Sequence, residues 1–186
     1  MSAAAAVTPT FPSTYRGSIW RKWDLHVHTP ESVFNNQFSH SANGPDWEAY
    51  LSAIEALTDV AVLGFTDYFS IDGYKRLREF RQHGRMSNIS LLLPNIELRL
   101  DLLIPTASEE EAGKVKKVNA HVIFSDEVDP QDIEDKFLRE LHFSGLGDPQ
   151  TTSEPCALSR HQLQQLGARL KAQQPTFTGS DYQVVC

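Results

Sequence analysis

The stretch Lys22–Thr29, KWDLHVHT, alternates apolar and polar side chains with period two. That alternation predicts a strand with Trp23, Leu25 and Val27 on one face and Asp24, His26 and His28 on the other. Pro30 ends it, and the Asn-, Ser- and Gly-rich run Glu31–Gly44 reads as a long loop. From Pro45 the period changes to that of a helix, with Trp47, Tyr50, Leu51, Ile54 and Leu57 on one face. Val60–Asp67, VAVLGFTD, is a continuous apolar run that suits a strand buried on both faces of a parallel sheet. A second helix follows over residues 72–84, with Asp72 as its expected N-cap and Gly84 as its stop. Ile89–Pro105 reads as two short strands split at Pro94-Asn95, and Val118–Asp126 as another buried strand. Asp129-Pro130 opens a third helix over 129–143, and Ser159 a last one. The final residues, SDYQVVC, read as lying inside or just before a strand. Strands alternating with helices predict an α/β fold on a largely parallel sheet, open or curled into a barrel.

Composition narrows this picture little. The chain has 186 residues, one domain by length, with 40% hydrophobic and 22% charged residues. A net charge of −7 argues against a protein that coats nucleic acid through general basicity. The two cysteines, Cys156 and Cys186, form no CxxC pair, so neither a thiolate zinc site nor a disulfide framework is expected. No apolar run approaches 18 residues, and the start lacks the pattern of a secretory signal. A cytoplasmic protein with no membrane span, carrying a flexible tail over residues 1–18, is the expectation.

Chemistry gathers at the strands. His26 and His28 close the first, Asp67 closes the second, and Glu97 and His121 lie in the third and fourth. In parallel α/β folds the strand ends converge on one site. Two histidines at i and i+2 share a face at roughly 6.6 Å along the strand and can hold one ion or two neighbouring ions. Imidazole and carboxylate without sulfur suit Zn, Mn or Fe. Each residue alone has a plainer reading: Asp67 as a turn cap, His121 as a core histidine, and Glu97 as half of a buried pair. The other histidines, His40, His83, His142 and His161, read as surface residues, with His40 in the loop above the same mouth. Arg78, Arg81 and Arg85 recur at helical spacing. They suggest a solvated helix face, with DNA contact as the alternative.

The motifs DLHVHTPES, VLGFTDYFSIDGY, LLLPNIELRL and NAHVIFSD, taken in order over residues 15–126, resemble the PHP (polymerase and histidinol phosphatase) domain family of metal-dependent phosphoesterases. RGSIWRKWDLHVHTP with FTDYFSIDGY looks most like the N-terminal PHP module of large TrlF-type proteins. Those join PHP to an AAA/SMC-like ATPase, and relatives occur in bacterial anti-phage defence. The resemblance implies a distorted (β/α)7 barrel with two or three divalent ions, Mn, Zn or Fe. His26, His28, Glu97 and His121 would be ligands, and Asp67 would orient the attacking water or take a proton. It implies a phosphodiester substrate with nucleic acid as the substrate class, a small phosphomonoester such as histidinol phosphate as the alternative, and an ATPase region as partner. The chain departs from the pattern at Asp67-Tyr68, where the family reads Asp-His. A phenol with a pKa of about 10 is a poor ligand. A further His and a closing Asp-x-His find no match after Asp126. The expectation is therefore a PHP-like domain over residues 19–186, truncated at its C-terminal end, with a non-catalytic docking module as the alternative function.

Overall fold

The computed structural model describes residues 20–32, 38, 40–41, 44–105, 115–143, 156–157 and 159–178. The expected tail over residues 1–18 and the closing strand lie outside these residues. The described elements run β1 (Lys22–Val27), β2 (His40–Ser41), β3 (Gly44–Pro45), α1 (Trp47–Glu55), β4 (Val60–Tyr68), α2 (Asp72–Gln82), β5 (Leu91–Pro105), β6 (Val115–Ile123), α3 (Pro130–Lys136), a 3-10 turn (Leu138–Glu140), β7 (His142–Phe143), β8 (Cys156–Ala157) and α4 (Arg160–Gln173). The main sheet has the order β1-β4-β5-β6. It is curled, as part of an α/β barrel would be. Among the described residues no helix is long and apolar enough to cross a membrane.

Three strands are parallel, as expected: β1 pairs with β4 and β4 with β5. β4 is central and all nine of its residues are buried, which explains its unbroken apolar run. One face of the sheet packs against the helices. Leu63, Phe65, Leu92 and Ile96 meet Trp47, Leu51 and Ile54 of α1 and Tyr74 and Leu77 of α2 in a single core. The opposite face carries the polar strand residues considered below.

The fourth strand corrects the sequence reading. β6 runs antiparallel to β5, and Asn119, His121 and Ile123 are exposed along it. It was expected to be another buried strand of a parallel sheet. An antiparallel strand tolerates one open face, which its alternating burial reflects. Leu91–Pro105 likewise forms one strand, without a split at Pro94, and Ile89 and Ser90 precede it. The Pro94 carbonyl accepts from Phe124 N (2.9 Å), so its missing N–H faces the point just beyond the end of β6. The loss there is one bond at a strand end, where proline is tolerated.

The helix starts follow local chemistry, with small displacements. Asp46 caps α1 by accepting from Ala49 N at 3.0 Å, and Pro45 of β3 lies before it, paired antiparallel with His40 of β2. Asp72 is the first residue of α2 rather than its cap, and its N–H donates to Ser70 Oγ at 3.1 Å. Asp129 and Ser159 cap α3 and α4 as expected, accepting from Gln131 N and Gln162 N. α3 stops at Lys136 and gives way to the 3-10 turn, well short of the expected Phe143.

Candidate metal centre

β1 is not a regular strand. Asp24 pairs with Leu63 but Val27 with Phe65, so β1 carries one extra residue between them. Such a bulge re-aims side chains and frees a backbone group. The freed group here is the Leu25 carbonyl, which accepts from Asn95 Nδ2 (2.7 Å), reaching across from β5. β4 permits the close approach through Gly64, where a Cβ would stand 2.8 Å from the same oxygen.

The bulge leaves His26 and His28 with their Nε2 atoms 3.3 Å apart. Both face Glu97 Oε2, at 3.4 Å from His26 and 3.6 Å from His28. Glu97 is only 1% exposed, and this oxygen makes no hydrogen bond. Its other oxygen, Oε1, accepts from Asn119 Nδ2 on β6. Among the described residues these three form the one group of histidine and acidic side chains whose ligand atoms converge tightly enough for a shared ion. Bonds of about 2.0–2.2 Å to a tetrahedral ion space its ligand atoms roughly 3.3–3.6 Å apart. The observed triangle matches that spacing, and a buried carboxylate oxygen with no donor is costly unless a cation meets it. The residues therefore fit a divalent ion.

Burial lowers the His28 pKa; the Glu97 carboxylate and the Thr66 backbone oppose the shift, and the His26 charge adds to it. Burial also lowers that of His121. Both shifts favour the neutral imidazole, the form that binds metal.

The remaining expected residues take different places. His121 lies opposite Glu97 in the ladder, with its ring 4.5 Å from that of His26, but it is outside the converging triad. Its Nδ1 is 3.3 Å from Asn95 Nδ2. Tyr68 is buried and stacks on His28, with centroids 5.3 Å apart. The chain then leaves β4 through Phe69 at φ 55°, whose N–H donates to the Glu97 carbonyl at 3.3 Å. Asp67 is not brought to the triad. It precedes Tyr68 on the strand and so points to the helix side. It is 3% exposed, and it accepts from Thr29 N (3.1 Å) and Thr29 Oγ1 (2.7 Å). Burial raises its pKa to about 6, against the pull of those two bonds.

Sequence reasoning missed Asn95 and Asn119, which orient His121, Glu97 and the β1 bulge. Asn119 does sit two residues before His121, on the same face of its strand, which was the available signal. Two arginines of the basic run, Arg81 in α2 and Arg85 beyond its end, are bonded within the fold. Arg81 donates to the Met86 and Ile89 carbonyls, and Arg85 to Glu48 and Glu55. His83 and His161 are exposed, as expected.

Compared with known proteins, the chain matches no family model, no curated protein and no solved structure.

Proposed function

We propose that this chain is a metal-dependent phosphoesterase module of the PHP type, an incomplete (β/α)7 barrel centred on His26, His28 and Glu97. The observation that carries the reading is the buried Glu97 Oε2, which has no hydrogen bond and lies within 3.6 Å of two imidazole nitrogens. His26 and His28 offer Nε2, and Glu97 offers Oε2. A divalent ion held there, Mn, Zn or Fe, supplies a water of lowered pKa and positive charge against a phosphoryl oxygen.

The chain's own residues do the positioning. Asn119 holds Oε1 of Glu97 and so turns Oε2 toward the histidines. Asn95 ties the β1 bulge to His121, which stands beside His26 at the open edge of the sheet. On this reading His121 would bind a second ion or a substrate oxygen. The proposed substrate is a phosphodiester, nucleic acid where the module works beside an ATPase region.

Metal content measured on protein purified without a histidine tag tests this reading, beside a His26→Ala/His28→Ala double variant. The expected result is near-stoichiometric Mn, Zn or Fe that disappears in the variant, with metal-dependent cleavage of a chromogenic phosphodiester. Protein that takes up no metal from excess Mn or Zn would rule the reading out.

Tyr68 supports a second reading, a docking module with a reduced metal site. It stands where the resembled motif has a ligating histidine, and it is packed on His28. On that reading the triad binds metal and no phosphodiester is cleaved.

A further inference from the structure

The chain reverses direction directly after His28, and the reversal is built on one side chain. The Thr29 carbonyl accepts from Ser32 N at 2.9 Å, and Thr29 Oγ1 accepts from Glu31 N at 3.2 Å. Both bonds close the turn Thr29–Ser32. The same Thr29 is gripped from β4, because its N–H and its hydroxyl donate to the two oxygens of Asp67. The turn brings Ser32 Oγ to 3.4 Å from Nδ1 of His28. From the other side, Tyr50 Oη of α1 donates to the His28 carbonyl at 2.9 Å.

α2 is shaped around this grip. Gly73 lies so close that a Cβ would stand 2.0 Å from Thr29 Oγ1 and 2.2 Å from Asp67 Oδ2. Thr29 and Asp67 are fully and almost fully buried, so neither is placed to meet a substrate.

We propose that Asp67 is a positioning residue of the metal centre: acting through Thr29, it fixes the backbone at His28 and the turn that sets Ser32 against Nδ1, so that Nε2 is the nitrogen offered to the ion. A ligating histidine commonly bonds a second group through its other ring nitrogen, and loss of such support lowers metal affinity about 10- to 100-fold. The contact of the two Nε2 atoms agrees with this, since in the metal-free protein His26 Nε2–H can donate to an unprotonated Nε2 of His28. The inference rests on the metal-centre reading above.

Co2+ binding to the full chain, followed by its visible spectrum, tests it in four proteins: wild type, Asp67→Asn, Thr29→Val and Thr29→Ser. Thr29→Val keeps the shape and all charges, so a change in affinity there is not an electrostatic effect of removing a carboxylate. The expected result is a loss of roughly tenfold or more in Thr29→Val and Asp67→Asn, and near-wild-type affinity in Thr29→Ser, which retains the hydroxyl. Histidine ring 15N shifts of the metal-free proteins give a second readout, with His28 as the Nδ1–H tautomer in wild type and a mixture in Thr29→Val. Wild-type affinity, spectrum and tautomer in both Asp67→Asn and Thr29→Val would overturn the proposal and leave the metal centre standing. Equal losses in Thr29→Val and Thr29→Ser would overturn it too, assigning the effect to packing. Should Asp67→Asn fail to fold, the valine and serine pair decides. A wild-type protein that binds no Co2+ would overturn the metal centre itself, and this inference with it.

Discussion

Asn119 donates from Nδ2 to Oε1 of Glu97, and the carboxylate's other oxygen is thereby left facing His26 and His28. The amide is itself oriented, because Arg99 Nε donates to Asn119 Oδ1 at 3.3 Å. A residue of an edge strand thus sets the aim of a buried carboxylate on its neighbour.

Asn119→Leu keeps the bulk and removes the donor. Zn affinity, measured by competition with a chromophoric chelator, is expected to fall about 10- to 100-fold. Stability of the metal-free chain is expected to drop by about 1–3 kcal/mol, the usual consequence of leaving a buried acceptor unsatisfied. Unchanged affinity would show that the ladder alone orients Glu97.

Two glycines make a contrast. Gly73→Ala places a methyl group against the side chains of Thr29 and Asp67, which are buried and hydrogen-bonded to each other. Overpacking of this kind costs about 1–3 kcal/mol, and here it also strains the turn after His28. Gly84→Ala meets nothing within 4 Å, but its φ of +86° is left-handed. That costs about 1–2 kcal/mol from backbone strain alone. Urea unfolding is expected to show both losses, and a loss of metal affinity only for Gly73→Ala.

Asp67 predicts a pH dependence with a definite sign. Its pKa rises from 3.8 unfolded to about 6 folded, and burial is the cause. Below both values each state carries the proton. Between about pH 4 and pH 6 the unfolded chain has lost it and the folded chain keeps it, so stability falls as pH rises. Above about 6 both states are ionised, and the full penalty, about 3 kcal/mol, remains. Unfolding curves taken in chelator from pH 4 to 7 should therefore fall more steeply for wild type than for Asp67→Asn. Parallel curves would contradict an elevated Asp67 pKa.

Arg85 should be legible in the titration of its partner. Its side chain donates to both oxygens of Glu55, and Met86 N donates to one of them. Those bonds hold the Glu55 carboxyl at about 2 rather than its ordinary 4.5. Carboxyl-carbon NMR is expected to show that low midpoint, and a return toward the ordinary range in Arg85→Met. A wild-type midpoint above 4 would refute the pairing. The same bonds explain why Arg85 is poorly placed for phosphate contact.

Much of the site was legible because its signals are short-range. His26 and His28 share one strand segment, and Glu97 stands out as an acid in an apolar run. The role of Asp67 was not legible. A one-residue step along β4 decides whether a side chain meets the sheet's polar face or its helix face, and the register of Tyr68 against Glu97 sets that step. The β1 bulge was equally hidden, since period two continues through it in the letters.

The sequence by itself determined the central strand, the helix caps at Asp129 and Ser159, and the two histidines. Each depends on residues a few positions apart: a run of apolar side chains, a polar oxygen beside free N–H groups, a two-residue repeat. Only the tertiary structure decided that β5 runs through Pro94, that β6 is antiparallel, and that Asn119 aims Glu97. It alone also set Asp67 on Thr29. These depend on pairing partners tens of residues away, where strand direction, register and the absence of a Cβ at Gly64 and Gly73 select one arrangement among several that the local pattern permits.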